Sequence, residues 1–286
     1  MIRNIRSIEQ LEWEPDEEGP GWHVILGDNG AGKSSFLRSL SLVLLGPKEA
    51  LAARQDWNTW LRTGEDSGNV DIAIVPDAKH DLFTGKGRTS YSKALIAAVG
   101  LDRVEQGGTE VEVRNRVAGT LVSPDRHVWG TGSGWFSAAF GPFRRFTGGD
   151  KDAERSFLSN PKLGAHISVF GENVALTEGL NWLRELNYKK LEHSAEGGLL
   201  QRLKDFINQD GFLPYCIKLK NVSSEGVSFE DANGFPVQVE ELSDGYRSLL
   251  SMTFELIRQL RRRYEADQIF DDDNLRVALP GVVLID

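Results

Sequence analysis

Cysteine is nearly absent from this chain of 286 residues, because Cys216 is its single copy. One cysteine cannot form a disulfide within the chain or a cysteine cluster around a metal. Cys216 lies in the apolar stretch 213–219, where we expect a small buried side chain. The composition therefore excludes disulfide-stabilised folds and cysteine-based metal chemistry.

Long hydrophobic runs are also missing, since the longest apolar stretches, at 42–45 and 281–285, have four or five residues. A membrane-spanning helix needs about 20 apolar residues, so we expect no membrane span. The start of the chain, 1–6, carries charges but no apolar region of a secretory signal follows it. We therefore expect a cytoplasmic protein.

An excess of basic residues is lacking, because 33 Lys and Arg stand against 42 Asp and Glu, for a net charge of −9. This balance argues against a surface that coats nucleic acid indiscriminately. A local basic groove is still compatible with it. Charge alone leaves the partner open.

The strongest motif that is present is a phosphate-binding loop. Residues 27–34 read GDNGAGKS, a full match to G-x-x-x-x-G-K-[ST]. The apolar run Trp22–Leu26 before it predicts a buried strand, and the apolar spacing after Ser34 predicts a helix that Gly46 ends. Glycines let backbone N–H groups face a polyphosphate, Lys33 neutralises its charge, and Ser34 offers a hydroxyl to Mg²⁺. A glycine turn without a ligand is the alternative.

A second motif lies at 281–286, where a short apolar run ends in Asp286. P-loop enzymes place the acid that holds the magnesium ion and its water at the tip of such a strand. Taken alone the pattern is also typical of a buried strand that simply ends in a turn. Its position, far along the chain from the P-loop, favours the functional interpretation.

A third motif, LSDGYRS at 242–248, opens a predicted long helix. Ser243 is a good helix N-cap, and Gly245 permits close backbone approach. The sequence is compatible with an ordinary capped helix or with a second phosphate-binding helix end. One nucleotide does not need two phosphate-binding helix N-termini from the same chain. The second one is therefore expected to bind the nucleotide of a neighbouring subunit.

Together these motifs resemble the ABC-type ATPase heads of the SMC, RecF and OLD groups. Residues 29–34 match Walker A, 242–245 stand in place of the signature motif, and 282–286 match Walker B. Asn4–Ser7 is similar to the start of many such heads. The residues at 245–248 and 140–145 look most like those of bacterial anti-phage defence ATPases of the PtuA (Septu) kind.

The resemblance implies an α/β fold, with a P-loop NTPase core sheet, an antiparallel β layer and an inserted helical subdomain. It divides one ATPase head into three parts. These are an N-terminal P-loop and β part at 1–135, a mainly helical insertion at 136–210, and a part with the signature helix and Walker B at 211–286.

The resemblance also implies ATP and Mg²⁺ as cofactors. Ser34 and Asp286 are the expected metal-site residues, Arg6 is a further candidate nucleotide contact, and Ser243 with Gly245 is expected at a partner subunit's nucleotide. The expected nucleotide-binding residues are Asn29, Gly30, Ala31, Gly32, Lys33, Ser34 and Ser35.

The implied activity is that of an ATPase whose Mg-ATP binding and hydrolysis switch head association and control a partner, in anti-phage defence or DNA transactions. Two alternatives are a nucleotide-sensing scaffold with little turnover that regulates a nuclease subunit, and a DNA-repair ATPase of the RecF or SMC type. The partners expected are a second head, a nuclease subunit and DNA, but no membrane.

Two departures from the family pattern concern hydrolysis. In the family a Glu follows the Walker B Asp, whereas this sequence stops at Asp286, so no catalytic residue is assigned. We expect a longer gene product, and slow or absent hydrolysis by the 286 residues alone. None of Gln55, Gln106 and Gln201 has the context of the family's Q-loop glutamine.

Overall fold

The computed structural model describes most of the chain, namely residues 1–15, 20–84, 93–105, 110–117, 123–130, 132–144, 146, 160–171, 178–194, 196–271 and 275–286. The chain forms two compact units. The first unit consists of Met1–Pro142, Ser156–Glu172 and Pro280–Asp286, and the second of Phe143–Arg155 and Asn173–Leu279. The three-part division expected from the sequence stays a prediction.

The first unit contains an antiparallel sheet of five strands in the order β2-β1-β3-β4-β5. In β5 the buried Val111 and Val113 flank the exposed Glu112, as expected for a strand with one covered face. The sheet is the antiparallel layer expected from the sequence. Its strands are β1 (Ile2–Ile5), β2 (Ile8–Leu11), β3 (Ser67–Ile74), β4 (Leu95–Arg103) and β5 (Val111–Asn115).

A separate pair of strands in the first unit runs in parallel. These strands are β6 (Ser137–Phe140) and β10 (Val282–Ile285). In the described part of this unit there are three helices, and one of them packs on β6 while it also contacts the helix that follows the P-loop. They are α1 (Lys33–Leu45), α2 (Pro47–Ala52) and α3 (Pro161–Phe170).

The predicted strand Trp22–Leu26 is wrong, because residues 21–28 have no regular secondary structure. Trp22 is 89% exposed and Leu26 is 87% exposed. An apolar run becomes a buried strand only where neighbours pair with its backbone, and no strand of the described residues pairs with this one. The mixed α/β class is confirmed, whereas parallel pairing among the described residues is limited to β6 with β10, and the P-loop core sheet stays a prediction.

Among its described residues, the second unit combines three helices with a three-stranded antiparallel meander. Apolar side chains of its helices, among them Leu183, Leu203 and Phe254, are fully buried. The long helix predicted after the third motif is confirmed. The elements are α4 (Glu178–Leu191), α5 (Gly197–Ile207), β7 (Lys218–Val222), β8 (Val227–Glu230), β9 (Pro236–Gln238) and α6 (Asp244–Arg261).

Two expectations about single residues in the second unit are corrected. Cys216 is exposed and not buried. It follows Tyr215 in a short turn in which both residues have φ of 55°, and this turn keeps the cysteine out of the core. Ser243 does occupy the N-cap position of α6, but its side chain makes no capping hydrogen bond.

No helix within the described ranges has the length and apolar character needed to cross a membrane.

Candidate functional site

The segment 27–34, called the P-loop segment below, leads directly into the first turn of α1. Gly32 is the N-cap of this helix and has a φ of 93°, a left-handed conformation that glycine adopts without strain. The first N–H groups of an α-helix have no partner inside the helix, and its N-terminus carries a partial positive charge. The segment therefore offers donors to an anion in front of α1.

Lys33 folds back over the P-loop segment. Its Nζ donates hydrogen bonds to the carbonyl oxygens of Gly27, at 2.7 Å, and Asp28, at 2.8 Å. These acceptors are neutral and solvent-exposed, and a polyphosphate is a stronger partner for an ammonium group. The Lys33 ammonium group is thus held beside the loop, where it can form hydrogen bonds with phosphate oxygens.

Ser34 and Asp286 meet although 252 positions separate them in the chain. The Ser34 hydroxyl donates a hydrogen bond of 2.9 Å to Oδ1 of Asp286. A hydroxyl beside a carboxylate is the type of oxygen pair that Mg²⁺ prefers. The structure therefore brings together the two residues that the sequence proposed as a metal site from separate motifs.

Asp286 is positioned by the parallel pair of strands. Val282 to Ile285 align with Ser137 to Phe140, and the Asp286 N–H donates to the carbonyl oxygen of Phe140 at 2.9 Å. The ladder thus continues one residue past the end of β10. This fixes the backbone from which the Asp286 carboxylate reaches α1.

Hydrogen bonds of one buried histidine connect the elements behind this pair. His166 of α3 is fully buried, and its Nδ1 lies 2.9 Å from the hydroxyl of Ser41 on α1. Its Nε2 lies 3.0 Å from the hydroxyl of Ser137 on β6. One imidazole therefore joins the helix that carries Ser34 to the strand that aligns β10.

The hairpin turn between β1 and β2 lies against the P-loop segment. A Cβ atom placed on Gly32 would lie 3.0 Å from the Ser7 hydroxyl, so a larger residue there would push on this turn. Arg6, in the same turn, stacks on Trp60 with its Cζ 4.6 Å from the ring centroid. Burial, and then the nearby charge of Arg38, lowers the pKa of Arg6.

A cavity of about 490 Å³ borders the P-loop segment at Gly32 and Lys33. Sequence reasoning missed it, because its walls come from separate stretches of chain. The only signal was the cluster of apolar and aromatic residues on either side of the P-loop. Its apolar walls include Ile8, Leu11, Trp13, Val24, Leu26 and Phe36.

Other predicted site residues lie in the P-loop segment, in α1 and in the second unit. Asn29 and Ala31 are exposed in the loop, and Ser35 is half-buried in α1. Ser243 and Gly245 belong to the second unit, at the N-terminus of α6. No cluster of three or more His, Cys, Asp or Glu suited to a metal ion occurs among the described residues.

Comparison with known families matches residues 1–118 to the AAA domain. A relative among curated proteins is structural maintenance of chromosomes protein 5 of Arabidopsis thaliana, which is 28% identical over 83 residues. That alignment covers 29% of this chain and 8% of the relative's length. Both matches cover less than half of the chain, and they are similarities to an AAA domain and to one SMC protein.

Proposed function

We propose that this chain binds Mg-ATP in its first unit, with the P-loop segment around the phosphates and Ser34 with Asp286 at the metal. The observation that carries this proposal is the 2.9 Å contact between Ser34 and Asp286. Two motifs 252 positions apart thus each contribute an oxygen atom to one place beside the P-loop segment.

Each group has a distinct role in the proposed site. Lys33 exchanges its bonds to Gly27 and Asp28 for bonds to phosphate oxygens. Gly32 leaves the first turn of α1 open to the phosphates. ATP and Mg²⁺ supply the phosphoanhydride and the bound cation, and the protein contributes positioning and charge.

The cavity beside Lys33 is the proposed place of the nucleobase. Its volume of about 490 Å³ lies within the usual range of ligand pockets, about 300–1,000 Å³. Trp13 and Phe36 line it and meet edge to face, with ring centroids 5.8 Å apart. Apolar and aromatic walls suit a planar base.

We extend the proposal to self-association driven by ATP. In the ABC-type heads that the sequence resembles, the signature motif of one copy contacts the nucleotide of another. Ser243 and Gly245 are the proposed contacts, and Arg6 is a further one to the chain's own nucleotide. The relative's name refers to chromosomes, which makes DNA the proposed partner of the assembled form.

A narrower version of the proposal is control of a nuclease in anti-phage defence. This version rests on the resemblance of residues 140–145 and 245–248 to anti-phage defence ATPases. One observation favours a link between the two stretches, because Arg144 Nε donates to the Ser248 hydroxyl at 3.2 Å within the second unit. Purification with a candidate nuclease, with and without ATP, tests this version separately.

Calorimetric titration with Mg-ATP tests the binding proposal. We expect Lys33→Ala to bind ATP roughly 30- to 150-fold more weakly, because charge-assisted hydrogen bonds worth about 2–3 kcal/mol are lost. Lys48→Ala is the matched control, since Lys48 is exposed on α2, outside the P-loop segment. Equal ATP affinity in Lys33→Ala and the parent would show that residues 27–34 are not the phosphate site.

A further inference from the structure

His166 of α3 is a polar side chain in the middle of a buried interface. It is 0% exposed, and so is Ser41, the hydroxyl residue of α1 to which its Nδ1 is bonded at 2.9 Å. Its Nε2 is bonded at 3.0 Å to the Ser137 hydroxyl at the start of β6. A buried polar network whose groups all have partners favours one arrangement of the elements that carry them. The imidazole therefore favours one placement of α1 relative to β6.

The chemistry of these three groups suits a link between elements. A neutral imidazole donates from one ring nitrogen and accepts at the other, and a hydroxyl can do either. Ser41 and Ser137 can therefore complete both bonds in either tautomer of His166. An apolar side chain of similar size would fill the same space but leave the two hydroxyl groups without this partner, which is costly in a buried interface.

A second hydroxyl of α3 is bonded to the other end of β6. The Ser168 hydroxyl donates to the carbonyl oxygen of Ala139 at 3.0 Å and accepts the N–H of Gly141 at 3.3 Å. These two partners flank the residue whose carbonyl oxygen accepts the Asp286 N–H. The helix is thus attached along the whole of β6, and His166 extends this attachment to α1.

The His166 link and the contact between Ser34 and Asp286 attach α1 to the same pair of strands at two places. Ser41 follows Ser34 by seven positions, so the two hydroxyls lie on one face of α1, two turns and about 10 Å apart. The parallel pair begins at Ser137, and Asp286 follows its other end, about 13 Å along the strands. Two attachments at this separation define the direction of α1 relative to the strands, whereas a single one would allow rotation about it.

We propose that His166 is a positioning residue for the magnesium site, because it keeps Ser34 opposite Asp286. The inference rests on the proposed function, since it concerns the same two oxygen atoms. His166 acts through Ser41 and Ser137. Partners that are bonded directly to metal ligands typically contribute about 10- to 100-fold to metal affinity, and a residue one step further away belongs at the lower end of this range.

Calorimetric titration with ATP, with and without Mg²⁺, tests the proposal on variants that each lose one hydroxyl. We expect Ser41→Ala and Ser137→Ala each to reduce the gain in ATP affinity from Mg²⁺ about 10-fold and to leave the affinity without Mg²⁺ nearly unchanged. The double variant should lose no more than either single variant, because the link is already broken at one end. Ser39→Ala is the matched control, since Ser39 is equally buried on α1 but its hydroxyl donates to the Ser35 carbonyl oxygen of the same helix at 2.7 Å.

Two variants of His166 separate positioning from packing. His166→Phe fills a similar space without ring nitrogens, and we expect it to lose as much of the gain from Mg²⁺ as Ser41→Ala does. His166→Gln carries an amide that can donate to one hydroxyl and accept from the other, so it should recover part of the gain. A purely structural role would lower the Tm of both variants without changing the gain from Mg²⁺.

Hydrogen exchange of the nucleotide-free protein measures the alignment without any ligand. The N–H of Asp286 is bonded to the carbonyl oxygen of Phe140 at 2.9 Å, as a continuation of the parallel ladder. We expect Ser41→Ala to speed exchange in residues 282–286, although Ser41 belongs to a different element, because local opening becomes easier when the link is cut. Ser39→Ala should leave this exchange as it is in the parent.

The proposal is overturned if Ser41→Ala and Ser137→Ala keep the same gain from Mg²⁺ as Ser39→Ala, or if their losses multiply in the double variant. Both results leave the proposed function intact, because the parent still gains affinity from Mg²⁺. Absence of that gain in the parent would contradict the proposed function instead. Exchange then decides on His166 alone: faster exchange in Ser41→Ala supports its role in alignment, and exchange equal to that of Ser39→Ala overturns it.

Discussion

At the scale of single residues, Lys33 shows how the P-loop segment is prepared for a ligand. Its ammonium group bonds to the carbonyl oxygens of Gly27 and Asp28, which shapes the loop without burying the charge. Binding of a phosphate exchanges one set of partners for a more strongly charged one. The charge needed for binding therefore also orders the loop.

Trp13 is the residue on which the proposed base pocket depends. It is 46% exposed and meets Phe36 and His23 edge to face. We expect Trp13→Ala to weaken ATP binding about 5- to 150-fold, because stacking of a base is worth about 1–3 kcal/mol. Calorimetry should show unchanged affinity for tripolyphosphate, which has no base.

Trp22→Ala is the control for this prediction, since Trp22 is 89% exposed and is not part of the cavity wall. Equal weakening of ATP and tripolyphosphate by Trp13→Ala would place Trp13 at the phosphates. No change in either affinity would place the base elsewhere.

At the scale of elements, the site depends on how α1, α3, β6 and β10 are joined. The register between β6 and β10 fixes the backbone position of Asp286. His166 connects α1 to β6 through the hydroxyl groups of Ser41 and Ser137. The bond between His166 and Ser41 is buried, where a hydrogen bond that loses its partner is costly. The alignment of Ser34 with Asp286 is therefore a property of the packed unit.

Parts of this arrangement could be predicted from the sequence, because local chemistry determines them. The helix after the P-loop ends at Gly46, as predicted, and 282–285 form the predicted strand. The irregular course of 22–26 could not be predicted, since an apolar run does not reveal which strands pair with it. The cavity at Trp13 also depends on residues distant in sequence.

An ion-pair cluster between α4, α5 and α6 gives the second unit a pH-dependent stability. A hydrogen bond from Lys189, assisted by Arg261, outweighs burial and lowers the pKa of Glu196. A lowered carboxyl pKa stabilises the fold above the pKa of the unfolded chain and ceases to do so as pH falls through the folded-state value.

We therefore expect Glu196→Gln to lower the free energy of unfolding at pH 7 by up to about 1 kcal/mol, with the difference shrinking as pH falls from about 5 to 3. Urea unfolding at several pH values measures it. Glu192→Gln, at an exposed position near the end of α4, is the control. A difference that does not depend on pH would contradict the assigned role of the Glu196 charge.

At the scale of the whole molecule, the proposed nucleotide residues and the signature residues belong to different units. Residues 27–34 and Asp286 lie in the first unit, whereas Ser243 and Gly245 lie in the second. The proposal assigns the second set to the nucleotide of another copy. ATP should then increase the mass of the protein in solution.

Gly245→Asp tests this assignment. A Cβ atom at Gly245 would meet nothing within 4 Å, and a carboxylate in the first turn of a helix is favourable, so α6 should stay folded. We expect light scattering to show loss of ATP-driven association while ATP affinity of the monomer is retained. The neutral Gly245→Asn should be much milder, because the repulsion between carboxylate and phosphate is absent.

Two results would contradict the assignment of Gly245. One is unchanged association of Gly245→Asp in the presence of ATP. The other is loss of monomer ATP binding as severe as in Lys33→Ala.

The central claim is that Ser34 and Asp286 serve one Mg-ATP site, and a double-mutant cycle on the Mg²⁺ dependence of ATP affinity tests it most directly. Calorimetry would compare Ser34→Ala, Asp286→Asn and the double variant, with Asp210→Asn as an exposed control. We expect each single change to remove most of the gain in affinity from Mg²⁺, and the double change to remove no more. The claim would be contradicted if the fold-losses of the two single variants multiplied in the double variant. It would also be contradicted if Asp286→Asn behaved like Asp210→Asn.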